Sequence, residues 1–309
     1  MTKLLKWSVI FFIALLLVYN IDFHSFFYYL FHFRPIGLLL TLLAVFLSEV
    51  VVAYRWYFLN EKKMSFKSAF EAVMLSFFFN IFTPAKIGDL SKVYYLEKKE
   101  SQHPIYTLSL TIVERFYDVI ILGTLFAISL FFYFTQNMFL AFGLLVLFLG
   151  LFFYLIINSK LTLALIKHIP IRKVKILLYL VYKAVRARFR THKFMTLFLL
   201  SVAVWIGYYF ANYVFFLFAT NLDLTFWQIF VVSTITFVVS AVPITPGSIG
   251  TFQAAMVFSL SWYGVPKEEA LAVSIILHVL DNIPTLIVGF YLLGTKNFLW
   301  ERENAAKKL

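Results

Sequence analysis

Phe82-Thr83-Pro84-Ala85-Lys86-Ile87-Gly88-Asp89 and Ile244-Thr245-Pro246-Gly247-Ser248-Ile249-Gly250-Thr251 share the pattern Thr-Pro-x-x-Ile-Gly. Each follows a 17-residue apolar stretch, 66–82 and 226–242, and precedes a shorter one. Each is then followed by a long apolar run that carries acid: Asp118 lies 30 residues after Gly88, and Asp281 lies 31 after Gly250. Proline removes a backbone donor and glycine admits unusual torsions, so both segments break a helix. A four-residue match arises by chance easily. Here the flanking architecture matches too, and the pair reads as an internal repeat, with halves at about residues 1–134 and 135–295.

Composition sets the solvent of those halves. The chain has 309 residues, of which 62% are hydrophobic and 14% charged. A soluble domain is roughly 45–50% apolar and about 25% charged, so too few polar side chains remain to coat a soluble surface. The chain is therefore expected to be an all-α polytopic membrane protein forming a single domain over 1–309. Long period-two alternation is absent, which excludes a transmembrane barrel. Cysteine is absent too, which removes disulfides, thiol nucleophiles and thiolate metal sites. No cofactor is expected.

Candidate spans of about 20 residues run over 4–19, 35–59, 105–134, 137–157, 194–219 and 270–293, with the two broken stretches 66–82 and 226–242 between them. The first lacks a small-residue cleavage site and reads as a retained helix rather than a signal peptide.

Basic residues orient these spans. If every stretch crosses fully, the segment 158–193 falls outside, although it holds ten Lys and Arg and no acid. If each Thr-Pro motif instead tips a re-entrant hairpin, that segment, Glu61-Lys62-Lys63, Glu97-Lys98-Lys99 and the tail with Lys307 and Lys308 all lie inside. Only Lys267 is misplaced, and it sits beside Glu268 and Glu269. The second arrangement has about six full crossings and two re-entrant hairpins. Three net crossings per half invert the second repeat, as in transporters whose broken helices meet near the midplane. Both termini are then cytoplasmic, in a cell membrane.

Ionisable residues at membrane depth mark function. Glu114, Arg115 and Asp118 share one span, with Glu114 roughly 14 Å along it at ~1.5 Å per residue. A structural pair of Arg115 with Glu114 or Asp118 is the alternative. His278 and Asp281 occupy the last span. His278 by itself fits a hydrogen-bonded interior residue. Arg55 fits a side chain snorkelling to the inner face, and Glu49 a partner for a buried cation. At the tips, helix restarts after Gly88 and Gly250 favour an anion at their N-termini, with Lys86 adding formal charge and the glycines admitting close approach. The alternative is capping by Asp89, Ser91 or Thr251. The candidate substrate-binding set is Thr83, Pro84, Lys86, Gly88, Asp89, Glu114, Arg115, Asp118, Thr245, Pro246, Gly247, Gly250, His278 and Asp281. The segment 158–193 interleaves Leu177, Leu178, Leu180, Val181 and Val185 with cations and suits a helix on anionic inner-leaflet lipid. Nucleic-acid binding is not expected there, and a homo-oligomer is compatible with the sequence.

Thr83-Pro84-x-Lys86-x-Gly88-Asp89, Glu114-Arg115-x-x-x-Asp118 and Val242-Pro243-Ile244-Thr245-Pro246-Gly247-Ser248-Ile249-Gly250-Thr251 together carry a resemblance that spans nearly the whole chain. The chain resembles the lysylphosphatidylglycerol synthase transmembrane-region family, also called flippase-like domain proteins. In that family Arg is frequent where Lys86 stands, and Gly and Glu are frequent around Ser248 and Gln253. The resemblance implies movement of a membrane phospholipid or lipid-linked substrate and no enzymatic reaction. With the chain ending at Leu309, the fused aminoacyl transferase of some relatives is not expected. Two rival functions are a membrane-embedded enzyme acting on polyprenyl lipids or phospholipids, and a non-transporting partner subunit anchored by the basic segment.

Overall fold

The structure is a computed structural model that describes residues 13, 15–133, 143, 159–189, 193–242 and 244–295. The expected spans at 4–19 and 137–157 lie wholly or largely outside the described residues, as do Pro243 and the tail with Lys307 and Lys308. Among the described residues there is no strand. The helices are α1 (Phe23–Phe31), α2 (Pro35–Leu59), α3 (Phe66–Phe82), α4 (Asp89–Glu100), α5 (Pro104–Tyr133), α6 (Ser159–Lys167), α7 (Arg172–Phe189), α8 (Lys193–Val214), α9 (Phe226–Ala241), α10 (Thr251–Ser261) and α11 (Lys267–Thr295). A π turn at Phe215–Ala219 extends α8, and short 3-10 turns at Pro84–Lys86 and Pro246–Ser248 form the two tips.

Local chemistry explains the boundaries. Pro35 opens α2 at a position where its missing N–H costs nothing. Ser65 caps α3 through the Ser68 N–H, and Thr225 with Gln228 forms a capping box on α9. Asp22 accepts from the N–H groups of His24 and Ser25 and starts α1, a nine-residue helix that periodicity alone does not reveal. The basic segment forms two helices, α6 and α7, with Ile171, Ile176 and Tyr179 exposed among the cations.

Helix faces are inverted relative to a soluble protein. Along α2, Ile36, Leu39, Leu43 and Leu47 recur every three to four residues and are exposed, while Thr41, Ser48, Glu49 and Arg55 are buried. An amphipathic helix in water does the reverse. Among the described residues, three helices are long and apolar enough to cross a membrane: Pro35–Leu59, Phe194–Ala219 and Lys267–Gly294. This is a helical membrane protein.

Packing pairs the two halves. α2 lies against α3 and α8 against α9; α4 lies against α5 and α10 against α11. Across the halves, α2 packs on α8, α5 on α9 and α3 on α11. Trp56, Leu96, Leu110 and Val113 anchor one apolar core, and Phe215, Phe252, Met256 and Leu277 the other. α3 and α4 fold back on each other across the first tip, as α9 and α10 do across the second. The tips touch: a Cβ added at Gly247, whose φ is +55°, would sit 2.8 Å from the carbonyl oxygen of Ile81.

Among the described glycines, Gly37 lies tightest against another stretch of backbone. A Cβ there would meet the Phe218 carbonyl carbon at 2.2 Å and the Ala219 nitrogen at 2.3 Å. Backbone cannot rotate aside as a side chain does. Gly37→Ala is therefore expected to cost about 1–3 kcal/mol by overpacking, read as a lowered unfolding midpoint of the detergent-purified protein. An unchanged midpoint would mean that α2 and the π turn are not held together at this point.

Candidate functional site

Asp89 is the first residue of α4, and Lys92 follows on the same turn. Glu114, Arg115 and Asp118 project from α5, and Arg55 from α2. These six side chains form one ionic network. Arg55 Nη2 lies 2.9 Å from Glu114 Oε1, and its Nη1 lies 2.5 Å from Asp118 Oδ1. Lys92 Nζ reaches Glu114 Oε2 at 2.8 Å and sits 4.0 Å from the centre of the Trp56 ring. Arg115 bridges Asp89 at 3.1 Å and Asp118 at 3.2 Å. Ser76 and Asn80, from α3, donate to Asp89 at 2.6 and 2.9 Å. The network thus joins both arms of the first hairpin to α5 and α2.

Two expectations change here. Arg55 does not snorkel: it is 3% exposed and binds two carboxylates at once. Arg115 pairs with Asp118 as anticipated from their three-residue spacing, but its second partner is Asp89, while Glu114 is taken by Arg55 and Lys92. Neither Asp89 nor Glu114 announces its partner locally, because both partners arrive from other helices.

The second half is polar but not ion-paired among the described residues. The His278 ring stacks on Phe252 at 4.5 Å, and its Nδ1 lies 3.0 Å from the Gln253 side-chain amide. Thr245 and Thr251 hydroxyls are 3.2 Å apart, and Thr251 donates to the Ser248 carbonyl. Glu49 accepts from Thr285 at 2.6 Å.

Between the tips lies a cavity of about 460 Å³. Of the anticipated residues, Thr83, Lys86, Glu114, Arg115, Asp118, Thr245, Gly247, His278 and Asp281 line it. Pro84, Gly88, Asp89, Pro246 and Gly250 do not. Pro84 and Pro246 open the tip turns. Asp89 stands behind Arg115.

The backbone of the tips is also committed differently from expectation. The Gly88 N–H donates to Thr83 Oγ1 at 3.1 Å, and the Gly250 N–H to Gln253 Oε1 at 2.8 Å. The caps are therefore Thr83 and Gln253, rather than Asp89, Ser91 or Thr251. Nor does Gly88 make room for a ligand: a Cβ there would meet the Asn80 backbone nitrogen at 2.4 Å, so this glycine lets the hairpin arms close. Gly250 serves its φ of +85°.

Arg55, Glu49, Asn80, Trp205, Tyr208 and Ser240 also line the cavity and were outside the sequence-derived set. Arg55 and Glu49 were legible as charges inside an apolar run; Asn80 and Ser240 carried no signal beyond polarity near a break.

A family model described as the lysylphosphatidylglycerol synthase TM region matches residues 4–289, which holds both tips and every cavity residue named above. The chain belongs to that family. Within the lysylphosphatidylglycerol synthase TM region family it is similar to UPF0104 membrane protein MJ1078 of Methanocaldococcus jannaschii, at 24% identity over 241 residues, covering 74% of this chain and 98% of the relative. It is also similar to UPF0104 membrane protein MJ1595 of the same organism, at 24% identity over 314 residues, covering 94% of this chain and 93% of the relative. No solved structure matches it significantly.

Proposed function

We propose that this membrane protein is a translocase for a phospholipid or lipid-linked headgroup, with the headgroup phosphate held in the cavity between the tips. One observation carries the reading. The network is balanced, with Arg55, Lys92 and Arg115 against Asp89, Glu114 and Asp118, and Lys86 beside it has no ion pair among the described residues. The cluster holds one positive charge more than it neutralises, and that charge faces the cavity. A phosphate group supplies the missing anion and accepts charge-assisted hydrogen bonds from Lys86 and Arg115.

In this reading the two halves are inverted repeats, and each tip is re-entrant. The matched helix pairs support the repeat, as does the spacing: Asp118 and Asp281 stand at the same position of α5 and α11, fourteen residues after Pro104 and Lys267. Irregular backbone at membrane depth is tolerated where it lines a cavity, which is where both tips lie. The protein works in the cell membrane with cytoplasmic termini, moves its substrate without making or breaking bonds, and rests α6 and α7 on anionic inner-leaflet lipid.

The chain's lack of cysteine makes the path testable. Ser240 lines the cavity and its hydroxyl oxygen is buried, so Ser240→Cys is a near-isosteric probe. In sealed vesicles a membrane-impermeant maleimide is expected to label it from either side in turn. Val279→Cys, on an outward face of α11, is expected to stay unlabelled. Labelling of position 240 from one side only, or from neither, would remove the alternating path.

A further inference from the structure

Glu49 is 3% exposed and lies on the cavity wall. Its Oε1 accepts the Thr285 hydroxyl at 2.6 Å, while its Oε2 has no hydrogen-bond partner. Asp281, one turn before Thr285 on α11, lines the same cavity and lies within electrostatic range of Glu49. Neither carboxylate forms an ion pair among the described residues. The charges that act most strongly on Lys86 are those of Arg115, Asp118, Asp89 and Glu114, all of the first half. The other groups around Glu49 do not neutralise it. Tyr208 is a phenol, and the His278 ring is held by Gln253 and stacked on Phe252. Arg55, on the same helix, is spent on Glu114 and Asp118. The cavity therefore has a cation without an ion pair on one tip and two carboxyl groups without one between α2 and α11.

Two buried carboxyl groups without a counter-ion are costly to ionise in a low-dielectric site, and a bound cation offsets that cost. We propose that Glu49 and Asp281 form a binding subsite for a monovalent cation of ammonium or alkali type. Among the described residues no group of three or more His, Cys, Asp or Glu is placed to hold a metal ion, and Mg²⁺ sheds its water too reluctantly for so apolar a wall. The Oε2 of Glu49 is the free acceptor, and Thr285 fixes the orientation of its carboxylate. The cation has two possible sources, the amine of a headgroup or a free ion, and the same two carboxylates serve both. The subsite stands independently of transport, since it is defined by charge within the resting protein.

The test is the unfolding midpoint of the detergent-purified full chain against NaCl and, separately, ethanolamine hydrochloride, with ionic strength held constant by N-methylglucamine chloride. A saturable upward shift with either salt supports the subsite. Ethanolamine alone assigns it to a headgroup amine, sodium alone to a free ion. The shift is expected to vanish in Glu49→Gln and Asp281→Asn and to persist in Val279→Ala. No saturable shift with either cation, or an equal shift in both carboxylate variants, would overturn the proposal. These outcomes are read without any lipid movement, so they are separate from the fate of the translocase reading.

Discussion

Glu114→Gln is expected to destabilise the protein by about 3–5 kcal/mol, the usual cost of breaking a buried ion pair from one side. Glu114 is the one carboxylate that reaches Lys92, whose side chain is 2% exposed and whose other contact is the Trp56 ring. It also takes one of the two forks of Arg55. The isosteric amide fills the same volume and leaves Lys92 a buried cation without an anion. Arg55 retains Asp118, so most of the penalty belongs to Lys92. Glu114→Gln combined with Lys92→Met is therefore expected to recover most of the loss, as a coupled pair does in a double-mutant cycle. Chemical unfolding in detergent measures both. Because Lys92 ties α4 to α5, the single variant should also raise hydrogen exchange across 89–100 while 251–261 stays protected. A double variant no more stable than the single one would show that the network is not held as described.

Lys86→Gln is expected to have the opposite profile. Lys86 takes part in no ion pair among the described residues, so its loss should leave stability within about 0.5 kcal/mol. A charge-assisted hydrogen bond contributes roughly 1.5–3 kcal/mol, so apparent affinity for a phosphate-bearing headgroup should fall roughly 10- to 150-fold. Lys86→Arg should restore it, since the charge and the donor return. The separation matters. Arg115 also faces the cavity, but it holds Asp89 and Asp118, and its removal mixes binding with folding. An unchanged affinity in a folded Lys86→Gln protein would remove the phosphate from this tip.

The contrast between these two residues shows what was legible in the sequence. Helix ends were readable because their signals are local: Pro35 opens α2, and Thr83-Pro84 ends α3 where the apolar run breaks. The Glu114-Arg115-x-x-x-Asp118 spacing marked a charged face on α5 for the same reason. What joins that face to the rest was not local. Arg55 comes from 59 residues earlier than Glu114, and Lys92 from 22 residues earlier. Lys92 also sits in α4, whose polar sequence resembles a surface helix, although packing buries its ammonium. The roles of the tip glycines were not legible for a related reason. Gly88 and Gly250 were visible as breaks, but whether a glycine serves a ligand, a turn or a neighbouring helix depends on what lies across from it, and for Gly88 that is Asn80. Gln253, visible only as a departure from a family pattern, proved to cap Gly250 and to hold His278.

The central claim is movement of a phospholipid between leaflets by way of this cavity. Its most direct test is reconstitution of the purified chain into vesicles carrying a fluorescent phospholipid in both leaflets, with a membrane-impermeant quencher added outside. Wild-type protein is expected to bring the inner-leaflet probe within reach of the quencher, while vesicles with Lys86→Gln protein of equal stability lag far behind. Inner-leaflet probe that stays protected with folded wild-type protein, across phospholipids of different headgroup, would contradict the account.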